Sequence, residues 1–195
     1  MYKHLLAAAF FTLSIAAQAQ SRPGSGFRPF VGLGITAGGD ELASVDFSNG
    51  TSTSVHAGGL IDVKGGIDVL LDGPFSMQLS LGYHVDSADG SNGSYTFSRM
   101  PLELLGYVSP TDKFRLGVGV RSALDPRISS SGVLAGHNAS FTSTLGVILE
   151  GEYFVLRSLG IKLRAVTEKY KGKGINSGLT FDGTHGGVYA VYYFN

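Results

Sequence analysis

The sequence predicts an all-β protein, an eight-stranded antiparallel up-and-down transmembrane β-barrel. Two alternations carry that prediction. First, apolar and polar residues alternate over eight segments, at 29–38, 57–71, 75–86, 95–108, 114–124, 141–156, 159–168 and 185–194. Second, long connections (39–56, 87–94, 125–140 and 169–184) alternate with short ones (72–74, 109–113 and 157–158). A barrel with an even number of strands has both termini at one end, with short turns there and long loops at the other.

The segments justify themselves in turn. The first carries Gly32 and Gly34 as small inward candidates. In the second, Ile61, Val63, Ile67, Val69 and Leu71 share one face, and Asp62, Lys64, Gly66 and Asp68 the other. In the third, Phe75, Met77, Leu79, Leu81, Tyr83 and Val85 oppose Ser76, Gln78, Ser80, Gly82 and His84. The fourth carries Arg99 and Glu103 on one parity. In the fifth, Phe114, Leu116, Val118 and Val120 oppose Arg115, Gly117, Gly119 and Arg121. The sixth and seventh place Gly146, Glu150, Glu152, Lys162, Arg164 and Glu168 on the polar parity. Successive strand side chains point to opposite faces, so this period of two defines two surfaces. A helix needs apolar residues at i, i+3, i+4 and i+7, which these windows do not supply. The short turns contain Asp72-Gly73-Pro74 and Ser109-Pro110-Thr111-Asp112, and the long loops are rich in Gly, Ser, Asn and Asp. Proline preset for a turn and glycine free to reverse the chain suit tight connections.

The same alternation fits a soluble barrel with its faces exchanged, so the lipid-facing surface needs separate arguments. Charged residues are 15% of the chain, against about 25% in an ordinary soluble domain. The polar parity carries Lys64, Arg99, Arg115, Arg121, Lys162 and Arg164 against Asp62, Asp68, Glu103, Glu150, Glu152 and Glu168. Balanced charge suits a narrow lumen where each buried charge needs a partner. Phe27, Phe30, Tyr83, Tyr95, Phe97, Tyr107, Phe114, Phe141, Tyr153, Tyr192 and Phe194 fall near strand ends, where rings form interfacial girdles.

Residues 1–19 read as a secretory signal peptide: Lys3 and His4, an apolar run from Leu5 to Ala16, and the small-x-small site Ala17-Gln18-Ala19. Residues 20–28 read as a periplasmic tail and 29–195 as the barrel. The chain holds no Cys, which excludes disulfides, thiol chemistry and a lipid-modified cysteine. Its charge is near zero, so it has no basic field for nucleic acid.

The closing segment, Val188-Tyr189-Ala190-Val191-Tyr192-Tyr193-Phe194-Asn195, resembles the last strand of outer-membrane barrels, with its final aromatic penultimate. The stretches Phe97–Tyr107 and Phe114–Arg121 resemble a hairpin of uncharacterised proteobacterial outer-membrane β-barrel proteins. The whole chain after residue 19 resembles the small eight-stranded barrels of the OmpA/OmpX type. That resemblance implies the bacterial outer membrane as the site of action, lipids as neighbours, insertion by the barrel assembly machinery, and a monomer. It transfers no substrate, because this fold hosts anchors, adhesins, channels and lipid-modifying enzymes.

Arg99 and Glu103 share a face about 13 Å apart along one strand, so each must meet charges of neighbouring strands. The twelve polar-parity charges are read foremost as a plug filling the lumen, and secondarily as an ion path. His185 and Ser177 could be cast as the base and nucleophile of a lipid deacylase, but no His-Ser motif supports it, and His185 reads as a rim residue. Asp40, Glu41, Asp86 and Asp89 match no calcium loop, and no histidine pair has metal-site spacing. The leading expectation is a non-enzymatic barrel with a structural or surface-interaction role and no cofactor. A narrow channel for small solutes ranks second and a lipid-modifying enzyme third.

Overall fold

The computed structural model describes residues 26–46, 52–90, 93–133 and 135–194. The strands in chain order are β1 (Phe27–Gly38), β2 (Glu41–Asp46), β3 (Ser52–His56), β4 (Leu60–Leu70), β5 (Phe75–Gly90), β6 (Gly93–Thr111), β7 (Phe114–Gly132), β8 (Ala139–Ser143), β9 (Gly146–Leu156), β10 (Leu159–Thr167), β11 (Lys169–Gly172), β12 (Thr180–Asp182) and β13 (His185–Tyr193). Strands β1, β4, β5, β6, β7, β9, β10 and β13 pair antiparallel in that order, and β13 returns to β1. The ring is therefore closed and leaves no spanning edge strand unpaired. The expected segment 1–19 and residues 20–25 of the expected tail lie outside the described residues. The strand begins earlier than expected, because Phe27 and Arg28 already pair with Val69 and Asp68.

The two faces separate as the period of two requires. Outward-facing Leu33, Leu79, Leu149 and Leu163 are 57%, 53%, 59% and 65% exposed, and similar aliphatics ring the whole wall. Inward-facing Asp62, Lys64, Arg115 and Glu152 are buried. An apolar exterior around a charged interior is the reverse of a water-soluble barrel, and an apolar surface this extensive needs lipid against it. The molecule is an eight-stranded transmembrane β-barrel.

Two sets of expectations need correction. The long connections are not plain loops. Strands β5, β6 and β7 run well past the expected ends, the 39–56 segment contains the hairpin β2–β3, and β11 and β12 lie within 169–184. The segment expected at 141–156 is broken at Thr144-Leu145 into β8 and β9, and the one expected at 57–71 starts as a strand only at Leu60. The physical reason is a reversal of the faces. Beyond the lipid the outward side meets water, so Ser94, Thr96, Ser129 and Ser131 face out, while Ala88, Phe97, Ile128 and Phe141 pack inside. Polar composition there marks the wetted face of a strand rather than a loop.

A β-bulge sets the reversal on β7. Ser98 pairs with Arg127 but Met100 pairs with Leu124, so β7 carries an extra residue between those partners. Asp125 takes φ 47° there, in the left-handed region that bulges exploit. Arg121 and Ala123 point inward below the bulge. Above it Ile128 points inward, and Arg127 is turned out into water.

The second correction concerns the aromatic girdles. Phe30, Phe97, Tyr107 and Phe141 are buried in the interior, and Tyr95 packs against the upper core. Tyr95, Phe97 and Tyr107 share the parity of Arg99 and Glu103 on β6, and Phe141 turns inward on β8, ahead of the break at Thr144-Leu145. Phe27, Phe114, Tyr153 and Tyr192 remain outward near the turn end, and Tyr83 is outward nearer the other.

Two inward tyrosines lie directly over glycines. Tyr107 lies across from Gly117, where an added Cβ would come within 2.5 Å of the ring. Tyr189 covers Gly34 in the same way. Gly117→Val forces the Tyr107 ring off its site and should cost about 1–3 kcal/mol. Urea unfolding in detergent micelles checks this: the midpoint should fall, and an unchanged midpoint would mean that the ring is free to move.

The lumen ion-pair network as the candidate functional site

All twelve charges singled out in the sequence are buried in the interior. Near the turn end, Arg115 of β7 organises the lowest layer. Its Nε donates to Glu152 Oε2 at 2.7 Å, its Nη1 to Asp68 Oδ1 at 3.0 Å, and its Nη2 to Tyr193 Oη at 2.6 Å. Arg28 donates to the other Asp68 oxygen at 2.5 Å. Tyr193 in turn donates to Glu152 Oε1 at 2.7 Å. The Arg115 guanidinium also stacks 4.1 Å over the Tyr107 ring, a contact favourable to a desolvated cation.

The middle layer joins β5, β6, β9 and β10. Lys162 Nζ donates to Glu150 Oε1 at 2.6 Å, to Gln78 Oε1 at 2.8 Å and to Tyr107 Oη at 2.9 Å. Tyr107 donates its hydroxyl to Glu150. Arg164 reaches Glu150 Oε2 at 2.8 Å through Nε. It then grips Glu103 through two parallel bonds, Nη1 to Oε1 at 2.8 Å and Nη2 to Oε2 at 2.9 Å. Such bidentate geometry gives the strongest guanidinium–carboxylate contacts.

Glu103 is the hub. Besides Arg164 it receives Lys64 Nζ at 3.0 Å and Ser80 Oγ at 3.2 Å, and Arg121 Nη1 lies 3.4 Å from Oε1. Lys64 continues to Asp62 at 3.2 Å, whose carboxylate also accepts Tyr189 Oη at 2.8 Å. Arg121 Nε lies 3.1 Å from Glu168 Oε2, and Tyr170 Oη donates to Glu168 Oε1 at 2.6 Å. Ion pairs thus run without a break from Arg28 through Asp68, Arg115, Glu152, Lys162, Glu150, Arg164 and Glu103 to Arg121 and Glu168, with Lys64 and Asp62 as a branch.

Arg99 stands apart from this chain. Its guanidinium lies 4.7 Å over Phe97, donates to Gly59 O at 3.2 Å, and places Nη2 3.1 Å from His84 Nε2. Thr36 Oγ1 meets the same His84 nitrogen at 2.8 Å. Arginine can only donate, so His84 Nε2 is the acceptor and the ring proton belongs on Nδ1. His185 is buried, not at a wetted rim. Its Nδ1 lies 2.7 Å from Gly183 O and its ring 5.3 Å from that of His84. Ser177 is exposed at the end of a short 3-10 turn, so the two do not form a nucleophile–base pair. Among the described residues, no group of three or more acidic, His or Cys side chains is arranged to hold a metal.

Sequence parity located the charges but missed the groups that join them. Arg28 falls within the expected tail, and Tyr107 within the expected girdle. Gln78, Tyr189 and Tyr193 stand on the inward parity, and their hydroxyl and amide groups bridge carboxylates on other strands. Parity is the signal that locates them.

No family model and no curated protein sequence matches the chain. Solved structures do match in fold. Ail, the attachment invasion locus protein of Yersinia pestis, superposes with a TM-score of 0.56 in its complex with the heparin analogue sucrose octasulfate. That match has 10% identity and covers 89% of this chain and 100% of Ail. A second crystal structure of Ail gives 0.55 at 11% identity, over the same shares. Neisserial surface protein A gives 0.49 at 12% identity, over 87% of this chain and 97% of that one. The chain has the fold of the small eight-stranded outer-membrane barrels, as the resemblance in sequence implied.

Removing the Glu103 charge leaves Arg164, Lys64 and Arg121 short of a partner. Glu103→Gln should lower stability by about 3–5 kcal/mol, the cost of stranding buried charge. Urea unfolding in micelles measures it. The double variant Glu103→Gln/Arg164→Gln should recover part of the loss, and strict additivity would show that the two residues are not coupled.

Proposed function

We propose that this protein is a non-conducting, non-enzymatic outer-membrane barrel with a structural or surface-interaction role, its lumen plugged by the charged network. The observation that carries this reading is the unbroken chain of ion pairs from Arg28 to Glu168. Eight strands enclose an interior only wide enough for side chains, and here those side chains are mutually paired. A passing ion would have to part them and leave charges unmatched in a poorly solvated interior. Above the network, Val55, Ala57, Ala88, Phe97, Phe141 and Tyr170 form an apolar core, a second barrier that a hydrated solute would need to open.

The surface role rests on the wall above the lipid. Strands β5, β6 and β7 project there together with the hairpin β2–β3 and with β8, β11 and β12, giving a platform of paired strands. Rigid scaffolds that present variable outer segments are suited to recognition. The closed ring fits a monomer, inserted by the barrel assembly machinery and surrounded by outer-membrane lipid. Nothing in the reading calls for a cofactor or nucleic acid.

Planar lipid bilayers test the plug. The purified protein should insert without steady conductance steps, whereas a variant that strands the hub, Glu103→Ala, should flicker. Steady steps from the unmodified protein would contradict the plug and favour the narrow channel.

A further inference from the structure

The outer extension carries a cationic stripe that the lumen reading does not use. Tyr170 is fully buried against Phe97, so its neighbours on β11 must point the other way. Lys169, Lys171 and Lys173 are all exposed on that outward side. Lys173 remains in the ladder, its N–H donating to Ser140 O at 2.9 Å. The stripe therefore spans about 13 Å along one straight line of chain.

Its height matters as much as its charge. Thr144 N–H donates to Lys169 O at 2.9 Å, and Lys169 N–H donates back to Thr144 Oγ1 at 3.1 Å. The next residue, Leu145, is 71% exposed and outward at the upper edge of the apolar band. Lys169 thus sits at the lipid boundary, and Lys171 and Lys173 climb from it into the layer where lipid headgroups lie.

The surroundings leave this charge largely uncompensated. Thr142 and Thr180 face Lys171 across the two ladders. Asp182 opposes Lys169, and Asp40 lies beside Asp182, accepting its N–H at 2.7 Å. The Thr184 hydroxyl and N–H hold the Asp182 carboxyl below its ordinary range, so this acid stays charged and offsets the lowest lysine. Arg127, by contrast, is paired with Asp125 at 3.0 Å. Among the described residues, none of the three lysines makes an ion pair.

We infer that Lys169, Lys171 and Lys173 form a contact surface for the phosphate groups of anionic lipid in the leaflet around the barrel's outer end. Lysines within reach of a negatively charged membrane surface each add to binding, and the effect decays within about a Debye length, ~10 Å. A stripe lying against the wall at headgroup height meets those phosphates without any change in the fold. The inference does not depend on whether the lumen conducts.

The test is titration of lipid A bearing two phosphates into the folded protein in neutral zwitterionic micelles. The triple variant Lys169→Gln/Lys171→Gln/Lys173→Gln should bind roughly 30- to 100-fold more weakly, while keeping the heat-dependent gel shift of a folded barrel. The three Lys→Arg replacements should retain binding, as should Lys113→Gln/Arg157→Gln at the turn end. Wild-type binding should weaken for lipid A stripped of its phosphates and should resist inorganic phosphate. Unchanged affinity in the triple Gln variant would overturn the inference. So would equal loss in the turn-end variant, equal binding of dephosphorylated lipid A, or displacement by inorganic phosphate.

Discussion

Glu103 is the constraint on which the interior depends. It stands near mid-lumen with Arg164 held bidentate, Lys64 bonded and Arg121 within ion-pair reach. Three cations from β4, β7 and β10 thereby converge on one carboxylate of β6. A closed ring of eight strands has no room to hydrate these groups individually, so they must be matched to each other. Tyrosines extend the matching where carboxylates alone cannot reach. Tyr193 links Arg115 to Glu152, and Tyr107 links Lys162 to Glu150. Tyr189 and Tyr107 each lie over a glycine of the adjoining strand, Gly34 and Gly117. Glycine content, ring placement and charge placement are consequences of one requirement, a filled and neutral lumen.

The same chain solves the opposite problem beyond the membrane. In lipid the wall is apolar outside and charged inside. Above lipid it is polar outside with a small apolar core within, built around Phe97, Phe141 and Tyr170. On β7 the change of parity is made locally, by the extra residue at Asp125. The bulge lets a single strand obey two solvents in succession, and it turns Arg127 toward Asp125 at the surface rather than into the core.

This division explains what the residue pattern could reveal. Inside the membrane band the period of two is strict, because a one-residue slip would place Arg115 or Glu152 in lipid. The eight spanning strands and the lumen charges were therefore legible. Above the band a serine or threonine on the wetted face looks the same as one in a loop, so the upper reaches of β5, β6 and β7 read as connections. Arg28 was hidden by the glycine-rich residues before it. Phe30 and Phe97 were hidden because a ring near a strand end suits either an interfacial girdle or a packed interior. Which lysines gather on one outward line was also beyond a linear reading, since β11 lay inside an apparent loop.

The measurement that tests this account most directly is an accessibility scan along β7. The chain has no native cysteine, so single spin-labelled cysteines from 116 to 131 report cleanly on each position. At 116, 118 and 120 the label should collide with lipid-dissolved oxygen. Beyond Asp125 the accessible parity should switch, with 127, 129 and 131 open to a water-soluble relaxant. An even-numbered pattern continuing unchanged through 130 would contradict the bulge, and with it the placing of Ile128 inside and Arg127 outside on β7.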